Sequence, residues 1–250
     1  MKKIIIILFC ILFCISFTSC SNEIEDTSIE ENDAIRLPEG PYVRRSAEWS
    51  IYSDAADLVN ESDLVFIGKV TNIEFQVLDM TNALPVSETT EDFAKELYTI
   101  YTVEIFSAYK GDTNNISKVR VMGGMVDYNV EEQLSVMEIG QTYNRELGIP
   151  IWDYYQKIQC AIGNSYLFVL KQFDTGYPTI INLEQAIFDL ADPMKKRTIG
   201  NNTRAYYSGT IDEYNNPLIS VNDIIEEFGS EKLHAFNKDF ENGVFQQAKQ

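Results

Sequence analysis

The sequence is poor in histidine, and His234 is the only one among 250 residues. A zinc site of the HExxH or Cys/His type needs several such ligands, and a Ser-His-Asp or Cys-His catalytic group would have to use this one residue. His234 lies beside the apolar stripe of a C-terminal helical pattern, where we expect a partly buried, structural histidine. The sequence therefore predicts no metal, no cofactor and no histidine-based catalysis.

Basic residues are also scarce, with 20 Lys and Arg against 38 Asp and Glu and a net charge of −18. Binding to a nucleic acid depends on cations that neutralise phosphates, so this charge argues against a nucleic-acid partner. It also opposes adsorption of the protein surface onto anionic lipid. Any contact with a membrane would need a separate anchor.

The first 19 residues have the layout of a secretory signal peptide. Lys2 and Lys3 precede an apolar run over residues 4–17, and the small residues Thr18 and Ser19 follow it. As a helix this run rises only about 21 Å. That rise is short of the roughly 30 Å hydrocarbon core of a bilayer, so a permanent membrane span is disfavoured.

At the end of this run, Phe17, Thr18, Ser19 and Cys20 resemble the lipobox of bacterial lipoproteins. In that family the cysteine receives a diacylglyceryl group, with fatty-acid chains such as palmitate, and cleavage makes it the first residue. The resemblance implies removal of residues 1–19, attachment to membrane lipid through acylated Cys20 and a location in the cell envelope, outside the cytoplasm. A plain signal peptide and a short anchor helix are the alternatives.

An acidic segment follows Cys20, with seven Asp or Glu against the single Arg36 over residues 21–41. Such a composition cannot bury a core, so we predict a disordered tether over residues 20–47. Once Cys20 is acylated and the signal is removed, Cys160 is the only free thiol, and no intramolecular disulfide can form. We expect Cys160 to be buried at the edge of a strand.

Residues 48–212 are predicted to form one β domain, because β-branched and aromatic residues alternate in several runs separated by turn formers. A long strand near its start is expected to bulge at Gly68. Long loops are expected over residues 79–96, with a helical turn near Asp92, and over residues 125–160. A short helix over residues 54–60, capped by Ser53, should precede the strands.

The C-terminal residues 213–250 change to a helical period and are predicted to form a helical extension. The first of two helices should begin at Ser220, which lies three residues before Asp223 as in a capping box. The predicted fold class is therefore mainly β (α+β), with a short N-terminal helix and two C-terminal helices.

The succession of LVNESDLVFIGKV, YTVEIFSAYKGD, ISKVRVMGG, GNSYLFVLKQF and EQAIFDL resembles a widespread bacterial type of secreted or lipoprotein domain. The same order is similar to netrin-like and metalloprotease-inhibitor domains, which implies a five- to six-stranded OB-like antiparallel barrel. In those inhibitors the N-terminal cysteine presents its free amine and carbonyl to the protease zinc. Here the corresponding residue is Cys20, and its acylation would remove this means of binding the protease zinc.

Three aromatic residues, Trp152, Tyr154 and Tyr155, cluster after Pro150 and form the candidate binding patch. Aromatic side chains on a loop can contact a protein or glycan ligand, but the pattern favours the alternative that Trp152 fills the open end of the barrel. The sequence thus favours a lipid-anchored, non-enzymatic β-barrel module that binds a protein or glycan through loops. The alternatives are an envelope hydrolase that uses a carboxylate pair and a structural envelope protein without a discrete ligand.

Overall fold

Two long antiparallel strands, β2 (Leu64–Asp79) and β3 (Lys95–Lys110), form the centre of the fold in the computed structural model. The structure describes residues 39–45, 49–140, 148–152, 159–183, 185–191 and 219–245. The two strands are rich in β-branched and aromatic residues, which fit a pleated surface buried on at least one side. Their register shifts between Ile67 and Gly68, so the bulge predicted at Gly68 is confirmed.

Six further strands complete the β structure of the described residues. They are β1 (Tyr42–Arg45), β4 (Lys118–Met122), β5 (Ile149–Trp152), β6 (Ser165–Lys171), β7 (Thr179–Ile180) and β8 (Ile187–Asp189). β1 and β5 pair in parallel and form a separate two-stranded sheet. The other six strands form one sheet in the order β2-β3-β4-β7-β6-β8.

Strand β2 pairs with β6 as well as with β3. The hydrogen-bonded neighbours therefore form a circuit of five strands, from β2 through β3, β4, β7 and β6 back to β2. All but one of these pairings are antiparallel. The exception is the short parallel pairing between β4 and β7, which joins Arg120 to Thr179.

The described residues also form four α-helices: α1 (Ala55–Glu61), α2 (Val130–Ile139), α3 (Val221–Glu226) and α4 (Ser230–Glu241). Ser220 and Asp223 form the capping box that the sequence predicts for α3. The side chain that caps α1 belongs to Asp54, whose carboxylate accepts a hydrogen bond from the backbone N–H of Asp57. The prediction of Ser53 as this cap was wrong by one residue.

Both faces of the sheet are covered at one end, because alternate residues of a strand enter different cores. On β2, Phe66 belongs to the large core, whereas Val65 and Ile67 pack with the residues of α1, α3 and α4. On β6, Phe168 likewise belongs to the large core, and Leu167 packs with the helices. Strands buried on both faces read as nearly continuous apolar runs, which explains the weak alternation of these segments.

The chain is thus a mixed α+β protein, built mostly on one six-stranded sheet with four helices among the described residues. Two boundaries differ from expectation. Residues 125–160 contain α2 and β5 rather than a loop alone. The tether predicted over residues 20–47 overlaps β1, because Tyr42 and Val43 are half-buried and pair with β5.

Candidate functional site

A cavity of about 410 Å³ lies beside β3 and β4, and Ile180 and Leu183 of the large core also line it. Two loops contribute to its walls, the β2–β3 loop (residues 80–94) and the β6–β7 loop (residues 172–178). The sheet contributes Tyr98, Arg120 and Met122, and Trp49 approaches from the N-terminal side. A volume of this size is in the range of sites for small molecules.

Arg120 is directed away from the large core by the alternation of β4. Its neighbours Val119 and Val121 are fully buried in the large core, so the side chain between them belongs to the opposite face. Its backbone is fixed by the N–H, which donates to the carbonyl of Pro178 at 2.9 Å, and by the carbonyl, which accepts from the Thr179 hydroxyl at 3.2 Å. The residue is only 6% exposed although it carries a charge.

The guanidinium of Arg120 is placed near two aromatic rings. The centre of the Tyr98 ring lies 5.7 Å from its Cζ atom, and the centre of the Phe173 ring lies 5.8 Å from it. Burial lowers the pKa of Arg120, and the nearby Tyr98 opposes that change. A guanidinium remains protonated at physiological pH even so, and the cavity therefore contains a buried positive charge.

This charge is not neutralised within the part of the chain that the structure describes. No carboxylate forms an ion pair with Arg120 there, and its buried Nε atom has no hydrogen-bond partner. Buried charged groups are normally paired, and a buried donor without an acceptor costs free energy. A bound ion or an ordered water is one way in which such a buried donor is satisfied.

The pKa of the Tyr98 phenol is raised, mainly by burial, while the positive charge of Arg120 opposes the rise. The phenol is therefore neutral at physiological pH. Tyr98 contacts Arg120 through its ring and through a side-chain hydrogen bond, but a neutral phenol cannot neutralise the charge. Phe173 has no ionisable group and is 56% exposed at the edge of the cavity.

Asp79, the last residue of β2, organises the beginning of the β2–β3 loop. Its Oδ1 atom accepts hydrogen bonds from the backbone N–H of Thr81 at 2.9 Å and from the Thr81 hydroxyl at 2.6 Å. Its other carboxylate oxygen accepts from the Asn82 amide at 3.3 Å and from the Thr90 hydroxyl at 3.4 Å. The hydrogen bonds from Thr81 lower the pKa of this carboxyl and keep it ionised.

The two loops contact each other beside the cavity. The hydroxyl of Thr175 donates to the carbonyl of Asn82 across the two loops. Ala83 has a φ of 62°, an uncommon conformation for a residue with a side chain, and Gly176 lies against it. A Cβ atom at Gly176 would lie 2.7 Å from the Ala83 carbonyl oxygen, so the close contact requires glycine at that position. Strained residues held in this way are concentrated at functional sites.

The predicted binding patch is only partly described. Trp152 ends β5 and is half-buried, it packs against the large core, and its indole Nε1 lies 3.5 Å from the Glu96 carboxylate. Tyr154 and Tyr155 lie outside the described residues, as does Cys20. The structure therefore places Trp152 against the core and does not bring it into the cavity around Arg120.

His234 and Cys160 also have defined positions. His234 is exposed on α4, so the expectation of a partly buried histidine was wrong; the apolar residues of this helix, such as Phe236, turn away from it. Cys160 is buried, as predicted, and its backbone N–H lies 3.4 Å from the Tyr101 hydroxyl. Neither residue lines the cavity.

The hydrolase alternative requires two carboxylates on one cleft. Among the described residues that line the cavity, Asp174 is the only one with a carboxylate. The described residues also contain no group of three or more His, Cys, Asp or Glu side chains placed to hold a metal ion. No helix among them is long and apolar enough to cross a lipid bilayer.

Sequence reasoning did not identify Arg120. The available signal was an arginine between Val119 and Val121 in a strand where the neighbours alternate as inward-facing residues. That pattern is equally consistent with an exposed arginine, because the sequence does not show that two distant loops cover the outer face. Compared with protein-family models and with curated proteins, the chain matches none of either.

Proposed function

We propose that this chain is a lipid-anchored, non-enzymatic module of the bacterial cell envelope that binds a glycan or protein ligand through the loops of an OB-like barrel. The cavity around Arg120 is the binding site in this proposal. The observation that carries it is the buried, unneutralised guanidinium between Tyr98 and Phe173, in a cavity large enough for a small molecule or for the end of a chain.

The circuit of five strands supports the OB-like part of the proposal. In OB folds the second and third barrel strands and the loops between strands 1 and 2 and strands 4 and 5 form the ligand-binding face. If the circuit is counted from β2, those strands are β3 and β4, and those loops are residues 80–94 and 172–178. The cavity is lined by these same parts of the chain.

The lipid anchor is supported by the N-terminal sequence. The apolar run ends at Cys20 in a lipobox-like pattern, and the acidic segment that follows would hold the domain away from the membrane surface. Two or three acyl chains on one cysteine would give long-lived attachment, whereas a single chain gives only marginal binding. Replacement Cys20→Ser should release the protein from membranes and abolish labelling by radioactive fatty acid. Labelling of this variant would contradict the anchor.

The binding function can be tested without knowledge of the ligand's charge. Met80 is 46% exposed at the edge of the cavity, so Met80→Trp should fill the entrance while the protein still folds. The purified full chain in detergent and this variant are compared on arrays of bacterial glycans and peptides. We expect the variant to lose the ligands that the unmodified protein retains. Equal binding by both proteins would place the binding site elsewhere.

A further inference from the structure

The chemistry of the cavity restricts the ligand class further, if the proposed function holds. Arg120 is the only cation among the described residues that line it, on a protein with a net charge of −18. The residue is 6% exposed as a whole, and its buried Nε lacks an acceptor among the described residues. An anionic group on the ligand would supply that acceptor.

We propose that the cavity binds a small carboxylic acid, with the carboxylate held by the guanidinium of Arg120 between the rings of Tyr98 and Phe173. A carboxylate is planar and accepts two parallel hydrogen bonds from the guanidinium fork. It also carries a single negative charge, equal in size to the charge of Arg120, and the other charged residue of the lining is the exposed Asp174.

A phosphate group fits the same cavity less well. Phosphate sites usually supply several backbone N–H donors, as in a helix N-terminus or a nest. In the β2–β3 loop these donors are already used: the N–H groups of Asn82 and Ala83 donate to the Asp79 carbonyl, and that of Leu84 donates to the Asn82 side chain. A doubly charged phosphate would therefore meet a single cation and, in this loop, backbone donors that are already used.

The other residues that line the cavity indicate the chemistry of the rest of the ligand. Apart from Arg120, the polar part of the lining consists of Asp174, Asn82 and three threonines, and its apolar part includes Met80, Tyr98, Met122 and Phe173. A ligand that places a carboxylate on Arg120 would therefore place an apolar or ring-shaped body against these side chains. Both a sugar acid and the C-terminal residue of a peptide satisfy this description, since both combine a carboxylate with a compact body.

Fluorescence of Trp49 provides the test. The chain has two tryptophans, Trp49 and Trp152, so Trp152→Phe leaves the cavity residue as the only reporter. This protein, as the full chain in detergent, is titrated with glucuronate and with N-acetyl-phenylalanine. Each acid is paired with its uncharged counterpart, glucose or N-acetyl-phenylalanine amide, and inorganic phosphate is a separate arm. The two acids distinguish a sugar source of the carboxylate from a peptide source.

We expect at least one acid to bind at least about 10-fold more tightly than its uncharged counterpart, since a hydrogen-bonded ion pair supplies that much affinity. Arg120→Met should remove the preference. Lys171→Met, which removes a cation of the same sheet outside the cavity, should preserve it. Persistence of the preference in Arg120→Met would overturn the inference, as would tighter binding of phosphate.

The same titration separates this inference from the proposed function. An uncharged compound that binds as tightly as its acid, and that Met80→Trp excludes, would establish a binding cavity and overturn the carboxylate. If neither acid changes the Trp49 emission, the carboxylate inference is also overturned. The array comparison with Met80→Trp tests the proposed binding function independently.

Discussion

The guanidinium of Arg120 lies 5.7 Å from the centre of the Tyr98 ring, and this contact replaces the carboxylate that a buried arginine normally has. Among the described residues, no carboxylate forms an ion pair with this guanidinium. A cation–π contact contributes about 0.5–2 kcal/mol. Desolvation of an unpaired ion costs several kcal/mol, so the arginine is expected to reduce the stability of the free protein.

The first prediction concerns that cost. Arg120→Met keeps a long side chain against Tyr98 and removes the buried charge, so we expect the free energy of unfolding to rise by about 1–3 kcal/mol. Chemical denaturation of the two purified proteins measures the change. Lys171→Met is the matched control, and its half-exposed ion pair with Asp63 at 3.8 Å should contribute less than about 1 kcal/mol. A clear loss of stability in Arg120→Met would show that the arginine has a structural role.

The second prediction concerns pH. The pKa of Asp79 is lower in the folded protein than its ordinary value, because the ionised carboxylate accepts hydrogen bonds from Thr81. Its contribution is therefore fully present above the unfolded pKa of about 3.9 and is lost as the pH falls through the lower, folded pKa. Asp79→Asn should destabilise the protein near neutral pH, and the difference should shrink as the pH falls below about 4.

Thermal unfolding of Asp79→Asn and of the unmodified protein from pH 7 to pH 3 would measure this dependence. Asp174→Asn is the control, since Asp174 is an exposed acid of the same cavity and should show no such change. A destabilisation by Asp79→Asn that is constant over this pH range would contradict the assigned role of the carboxylate.

The third prediction uses two glycines with similar backbone angles. Gly111 and Gly163 have φ values of 78° and 89°. A Cβ atom at Gly111 would lie 2.5 Å from the Asp63 carbonyl oxygen, whereas at Gly163 it would contact nothing within 4 Å. Gly163→Ala should therefore cost about 1 kcal/mol from the backbone alone. Gly111→Ala should cost about 3 kcal/mol, because the overlap adds to the strain. Equal losses in denaturant unfolding would contradict the close contact.

The fourth prediction concerns Trp152. Its indole packs against the large core, so Trp152→Ala should lower the free energy of unfolding by about 2–4 kcal/mol. Trp152→Phe retains most of the apolar contact and should cost less than about 1.5 kcal/mol. Melting temperatures of the two variants provide the comparison. An unchanged melting temperature in Trp152→Ala would contradict core packing and would assign Trp152 to the candidate binding patch.

Much of the β structure was predictable because it depends on local signals. Gly68 marked the bulge of β2, and Ser220 with Asp223 marked the start of α3. The cap of α1 was missed because Ser53 and Asp54 both have suitable side chains, and only the backbone angles of Asp54 identify the cap. The strand β5 was missed because its partner β1 lies about a hundred residues earlier in a segment that composition assigned to the tether.

The site was much less predictable than the fold. Arg120 becomes buried only because residues 80–83 and 173–175, far apart in the sequence, meet over the outer face of β4. The sequence of β4 itself does not indicate that these two loops cover it. The candidate patch at Trp152 was recognisable because its aromatic residues are adjacent in the sequence, and the alternative that Trp152 packs against the core is confirmed.

Nuclear magnetic resonance of the arginine Nε–H groups tests most directly whether the unneutralised guanidinium is the binding group. The signal of Arg120 is assigned by its absence from the spectrum of Arg120→Met. Of glucuronate and N-acetyl-phenylalanine, the acid that binds more tightly is used. We predict that it shifts the Arg120 signal at saturation, while the other arginine signals do not change. An Arg120 signal that does not move while the ligand is bound would contradict the account.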